Sequence, residues 1–405
     1  MNDADVLIIG AGLTGLRAAL ELSRSGYSVL IVERDGVVGG RLKTTIERGL
    51  VMDHGFQVLL SGYPELKSLP PLDVLGCRDF WSGARMRLDS KQYDLLNPLK
   101  HPRSLPRSIA SPVASLRDLL KLARFVYSGS AKTAQFVGDS TANVIDSARY
   151  SETFKGAFLK PFLRGVLLDQ SLTTDAGLAR FYLRIFSSGA AQLPAKGIQA
   201  LPNYLADVLG RQHILLNTVV SKISAKGVVL DSGEELHARH VVCAVDALSA
   251  AALGANEQTA PHCGNVTVYL LAEHPPYTEP LITLNGDGRG PVNNLAILTN
   301  VQPSYAPEGQ ALLALSVIGD AARQPHELLM TQIRDQMHSW FGAQSADWEH
   351  IRTFTISNAL PARPRMSQGW YQQDGIYYAG DYLSYGSQNG ALAAGRAVAQ
   401  AVADL

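Results

Sequence analysis

Cysteine is scarce: Cys77, Cys243 and Cys263 are the three in 405 residues, an odd number with no C-x-x-C spacing. That excludes a disulfide framework and a dithiol redox centre, and it fits a reducing, cytoplasmic setting. Net charge is absent, since 36 Lys plus Arg balance 36 Asp plus Glu. No overall field draws in nucleic acid or an anionic membrane. No stretch approaches the roughly 18 uncharged apolar residues of a membrane span. The first apolar run, residues 6–16, follows Asp3 and Asp5 and is broken by Arg17, so it reads as neither span nor signal peptide. Peripheral membrane contact stays open, as does the oligomeric state. Of ten histidines only His237 and His240 are close together, and without Cys or acidic partners in a ligand pattern, so no metal is expected. A G-x-S-x-G elbow is missing too, which leaves a serine hydrolase unsupported.

What is present is apolar: 46% of the chain, against 18% charged where about 25% is usual. Disorder is excluded. At roughly 150 residues per domain the length gives two to three domains. Residues 5–9 (D-V-L-I-I) have the pattern of a strand buried on both faces. Gly10-Ala11-Gly12-Leu13-Thr14-Gly15 follows at once, and Leu16, Ala19, Leu20 and Leu22 then recur at helical spacing until Gly26. A second strand, residues 28–32, ends at Glu33, followed by Arg34. Strand, glycine turn, helix and strand-end acid together form a βαβ dinucleotide fingerprint. Gly10 permits the tight turn, Gly12 lets backbone N–H groups reach a pyrophosphate, and Gly15 allows close helix–strand packing. Glu33 would accept hydrogen bonds from the ribose hydroxyls, and the helix N-terminus adds positive potential.

Gly39-Gly40-Arg41 lies just past the second strand, where an NAD dehydrogenase needs no second glycine pair. With it, the N-terminus resembles that of the flavin amine oxidase, protoporphyrinogen oxidase and phytoene desaturase superfamily. The C-terminus carries the same resemblance: Ala379-Gly380-Asp381, then a last helix opening at Ser387-Gln388-Asn389-Gly390-Ala391. The resemblance implies FAD, with Arg41 bonding its pyrophosphate and Asp381 meeting the ribityl and phosphate region. The last helix, with Gln388, Asn389 and Ala391 in its first turn, would face the flavin and stabilise its reduced form. Val220 would touch the adenine through its backbone, and Asp53-His54-Gly55-Phe56-Gln57 would pass the isoalloxazine, with Gly55 and Phe56 against the cofactor.

The implied fold is α/β: a Rossmann-like FAD domain of the glutathione-reductase type (1–70, 190–252 and 366–405) interleaved with an α+β substrate domain (71–189 and 253–365). Pro194-Ala195-Lys196-Gly197 resembles the re-entry into the FAD domain, with Lys196 replacing a glycine. Strands are expected at 215–223, 266–271, 295–299 and 311–317, and helices after Ser115 and at 327–340. The stripe Phe154, Phe158, Phe162 and Phe181 reads as core.

Two departures separate the chain from the primary-amine oxidases of the superfamily. Thr267 falls where they carry a lysine beside the flavin, and Ser387 where they carry a cage tyrosine. No cysteine follows Cys263, so the FAD is expected to be noncovalent. His54, Gln57 and Tyr269 beside the ring, and Tyr385 near the last helix, are the candidate polar groups for catalysis. The expected activity is an FAD-dependent dehydrogenase or oxidase that takes a hydride from a C–C or C–N bond of a largely apolar small molecule to flavin N5, with O2, a quinone or another carrier as electron acceptor. A flavin-dependent isomerase without net redox change shares every one of these motifs. An accessory protein that binds the nucleotide without turnover is disfavoured, because two elements aimed at flavin would be superfluous.

Overall fold

The βαβ unit forms as expected in the computed structural model, which describes residues 3–88, 91–97, 100–102, 111–128, 138–256, 262–362 and 368–404. β1 (Ala4–Ile9), α1 (Leu13–Arg24) and β2 (Val29–Val32) are tied by parallel pairing, Val6 opposite Val29 and Ile9 opposite Val32. β1 pairs on its other side with Glu235–Cys243, Val6 opposite His240, and that strand pairs with Ile376–Ala379, Val241 opposite Ile376. Ile214–Leu215 adds a parallel strand beyond β2. Five parallel strands thus come from the start, middle and end of the chain. α1 crosses the C-terminal helix Gln388–Ala403 at close range, where a Cβ on Gly395 would lie 2.4 Å from the Thr14 carbonyl oxygen.

A second, seven-stranded sheet runs in the order Glu349–Pro361, His262–Ala272, Ala311–Ile318, Val292–Ile297, Ile282–Asn285, Gly83–Leu88, Lys91–Leu96. Side chains alternate between its faces. Val268, Leu270, Leu313 and Leu315 pack with Ile333, Met337 and Trp340 of helix His326–Phe341, while Tyr269, Leu271, Leu312 and Ala314 pack with Leu50 and Met52. The helices Leu116–Tyr127, Lys160–Leu167 and Ala176–Ser188 complete this half. The first is capped by Ser115, whose hydroxyl accepts from the Asp118 N–H at 3.2 Å while Asp118 accepts from the Ser115 N–H at 3.0 Å.

Two expectations are corrected, and one element was not expected. The strand expected at 215–223 is broken, because Asn217 takes a left-handed φ of 52° and sends Ile214–Leu215 to β2 and Val220–Ser224 to a separate hairpin. The strand expected at 295–299 stops at Ile297, and Leu298–Val301 turns into a helix. The hairpin Gly83–Leu88/Lys91–Leu96 was unforeseen, since charged Arg85 and Arg87 interrupt its apolar pattern. Both are buried, and Arg85 is held by Asp94 at 2.7 and 2.8 Å and by Glu279 at 3.2 Å. The expected domain boundary at 365/366 lies outside the described residues.

Candidate active site

A continuous cavity of about 1200 Å³ runs from the β1 turn to the helices around Phe162. It exceeds the roughly 300–1,000 Å³ of a single small-molecule pocket.

Its first end is built by the glycine turns. Gly10 has φ +100°, and a Cβ on Gly15 would lie 2.0 Å from the Gly10 carbonyl oxygen, so both positions demand glycine. Gly12 differs: a Cβ there would meet no protein atom within 4 Å, although a Cβ on Gly40 would lie 3.4 Å from the Gly12 Cα. Glu33 is buried, its carboxylate accepting from the N–H groups of Ala11 at 2.7 Å and Asp35 at 2.9 Å. Those bonds brace the turn and leave lone pairs for a ligand hydroxyl. Leu13, Thr14, Arg34, Gly39 and Val220 line the same end. Thr14 Oγ1 donates to the Ala391 carbonyl at 3.1 Å, which joins the N-terminal turns of α1 and the C-terminal helix. Arg41 is ion-paired with Asp381 and donates to the Ala359 carbonyl at 2.7 Å, so this expected pair of cofactor contacts also locks the two turns to each other.

Gly55, Phe56, Gly380, Gln388 and Ala391 line the next part of the cavity, with His54 and Gln57. Gln388 donates to the Val58 carbonyl at 3.2 Å, while its buried Oε1 has no partner among the described residues. An acceptor without a donor, together with the open space at Gly12, fits a dinucleotide cofactor that brings both donors and bulk. His54 Nε2 is 2.8 Å from Thr45 Oγ1, and its ring stacks on Phe354 at 4.3 Å. Burial lowers its pKa, as do nearby Lys43 and Arg352, so the imidazole is neutral at pH 7. Gln57 donates to the carbonyls of His54 and Arg41 at 2.9 and 3.0 Å.

Four candidates stand behind the wall instead of on it. Thr267 is fully buried and donates to Asn265 Oδ1 at 2.7 Å, and Tyr269 donates to the Asp53 carbonyl at 2.8 Å. Tyr385 packs edge-on to Phe181 and accepts from Asn389 at 2.5 Å, while Asn389 accepts from the Glu65 N–H. The Thr267 strand reaches the wall through His262 and through Asn265, which is two positions before Thr267 and on the same face. The Phe stripe also divides: Phe154 and Phe181 are core, but Phe158 and Phe162 line the cavity and continue through Phe186 with centroids 5.6 and 5.1 Å apart.

Sequence reasoning also missed Tyr182, Asn294 and the role of Asp53. Tyr182 lines the cavity and donates to the Gly386 carbonyl at 3.0 Å. Asp53 is wholly buried beneath the 53–57 loop, and burial pushes its carboxyl up to about 6. Hydrogen bonds from Thr44 at 2.6 Å, the Ile198 N–H at 2.8 Å and Tyr305 at 3.3 Å act against that rise. A Cβ on Gly197 would lie 2.4 Å from Thr44 and 2.7 Å from Asp53, so the re-entry turn needs Gly197 and tolerates Lys196.

Charge is confined to one end. Among the described residues the lining Asp, Glu, Lys and Arg are Glu33, Arg34, Asp35, Arg41, Lys43, Asp246 and Asp381, all around the glycine turns. Beyond them come Leu95, Leu119, Leu122, Val126, Leu284 and the Phe158–Phe162–Phe186 wall, with neutral Asn and Ser side chains between. Helix Leu116–Tyr127 is the outer lip. Leu119, Leu122, Val126 and Tyr127 line the cavity, while Leu116, Leu120 and the outer part of Tyr127 are exposed beside Arg117 and Arg124. Among the described residues no helix is long and apolar enough to cross a membrane.

Comparison with known proteins places this geometry. The family profile described as "Flavin containing amine oxidoreductase" matches residues 13–403. Protoporphyrinogen oxidase 2, chloroplastic/mitochondrial, of Arabidopsis thaliana is 42% identical over 74 residues, 18% of this chain and 14% of that protein. The inactive all-trans-retinol 13,14-reductase of Danio rerio is 25% identical over 281 residues, 58% of this chain and 45% of that protein. These matches span less than half of each relative's length. An oxidoreductase from Methanosarcina mazei superposes with a TM-score of 0.77 at 19% identity, covering 98% of this chain and 99% of that one. At that identity the likeness carries the fold.

Proposed function

The chain belongs to the flavin containing amine oxidoreductase family and is an FAD-dependent oxidoreductase, and from that premise we propose that it removes a hydride from a C–C or C–N bond of a neutral, largely apolar small molecule. The observation that carries this reading is the confinement of charge to the cofactor end of the cavity. A charged substrate in the other half would lose its hydration without gaining a partner. When bound, FAD supplies the two-electron acceptor, and O2, a quinone or another carrier completes turnover. Binding falls to the glycine turns, Glu33 and the Arg41–Asp381 pair. Gln388 takes a donor from the cofactor, and no cysteine lines the cavity, which supports noncovalent attachment. His54, neutral and held through Nε2, keeps Nδ1 for a proton at the reacting end.

Three free cysteines suit a reducing cytoplasm. The exposed stripe Leu116, Leu120 and Tyr127, flanked by Arg117 and Arg124, is suited to peripheral contact with an anionic membrane from which an apolar substrate would enter. The test has two parts. Acid denaturation should release intact FAD, and anaerobic mixing with neutral polyenes should bleach the flavin. Release of FMN, or of nothing, would contradict the cofactor assignment. Product formed only with prereduced flavin, and without its reoxidation, would mark an isomerase.

A further inference from the structure

The sheet wall of the substrate half carries a row of uncharged polar side chains that the chemistry above does not use. Thr267, Ser316 and Asn294 face one another across three adjacent strands, each at most 2% exposed. Most of the row is satisfied internally. Asn265 donates to Ser316 Oγ at 2.7 Å and accepts from Thr267 at 2.7 Å.

Asn294 is the exception, and its orientation is set by chemistry. The neighbouring Asn293 donates through Nδ2 to the Pro161 carbonyl at 3.0 Å. A backbone carbonyl can only accept, so that atom of Asn293 is nitrogen. Its second hydrogen goes to Asn294 at 2.9 Å, so Asn294 presents Oδ1 there. Helix Lys160–Leu167 covers that oxygen at Gly165, where a Cβ would lie 2.9 Å away. Asn294 Nδ2 is then left without a protein partner among the described residues, on a side chain that lines the cavity beside Gly165 and Leu284. The residue is only 2% exposed and lines the cavity, so an acceptor on a ligand there can satisfy this donor.

We propose that Asn294 is a docking group for a neutral oxygen acceptor, a carbonyl, ether or hydroxyl oxygen, on an otherwise apolar substrate. The proposal rests on reading this half of the cavity as the substrate chamber. A carboxylate is disfavoured because among the described residues no Lys or Arg lines this half, and a buried unpaired charge is far more expensive than a lost hydrogen bond.

The test is displacement of the hydrocarbon fluorophore diphenylhexatriene from the flavin-loaded protein by dodecane, methyl decyl ketone and dodecanoate. The wild-type protein should bind the ketone roughly threefold to tenfold more tightly than the alkane, the scale of one hydrogen bond, with dodecanoate weakest. In Asn294→Leu the ketone-to-alkane ratio should fall to about one, with flavin content and diphenylhexatriene binding retained. Asn294→Ala, which adds no bulk, should give the same collapse, and the wild-type ranking needs no variant at all. An unchanged ratio in either variant, or tightest binding of dodecanoate to the wild type, would overturn the proposal. Failure of the wild type to bind diphenylhexatriene at all would instead remove the apolar-chamber reading, and this proposal with it.

Discussion

The two ends of the cavity are made of different material. At the cofactor end, backbone groups and charged side chains do the work: glycines at Gly10, Gly15 and Gly40, a bracing carboxylate at Glu33, and the ion pair between Arg41 and Asp381. At the substrate end, aromatic and aliphatic side chains from several helices and strands form the wall, and among the described residues it holds no Asp, Glu, Lys or Arg. A pyrophosphate is the same in every dinucleotide, so a local arrangement of glycines can be built for it. An apolar ligand is recognised by shape, and shape is assembled from residues far apart in the chain.

The largest effect should come from the cofactor end, where it also sharpens the distinction between building a turn and binding a ligand. Gly15→Ala forces a Cβ to within 2.0 Å of the Gly10 carbonyl oxygen, and should cost about 3 kcal/mol or more in denaturant titrations. Gly12→Ala places its methyl in open space. Stability without cofactor should stay within about 0.5 kcal/mol of wild type, while flavin retention is lost. Equal loss of stability in both variants would contradict the division of labour.

Next is Asp53, which lies beneath the boundary between the ends. Its folded pKa of about 6 lies above the 3.8 of an ordinary aspartate, so between these values the folded state holds a proton that the unfolded chain releases. The contribution to stability is therefore full below about pH 4 and is lost as pH rises through 6, on the order of 3 kcal/mol in all. Asp53→Asn should remove this fall and be neutral or stabilising at pH 8, as read from melting temperature across that range. A smaller effect is expected of Glu33→Gln, which turns an N–H donor toward a site that offers only donors. Flavin affinity should drop by about 1.5–3 kcal/mol in equilibrium titration. The smallest is Tyr182→Phe, which removes the bond to the Gly386 carbonyl and should cost about 1 kcal/mol of stability.

The same contrast explains what could be read in the sequence. The βαβ turn, the Gly39-Gly40-Arg41 loop and the start of the C-terminal helix were legible because each is a contiguous run whose spacing has a single physical use. The wall was not. Thr267 and Asn265 lie two residues apart on one strand face, and only the packing of the sheet decides which of them meets the cavity. Phe154 and Phe158 are one helical turn apart, yet the first is core and the second is wall, across the π-helical turn Lys155–Leu159 that shifts the helix face. Arg85 and Arg87 hid a hairpin because two charged residues break its apolar pattern, and Arg85 is neutralised only once the strands pair it with Asp94 and the fold brings up Glu279.

The difference in charge between the two ends is the central claim, and anaerobic stopped-flow reduction of the bound flavin tests it most directly. Neutral polyenes should bleach the flavin, and benzylamine and spermine, both cationic at neutral pH, should leave its absorbance unchanged. Rapid bleaching by the cationic amines with none by the neutral compounds would contradict the account, even with FAD in place.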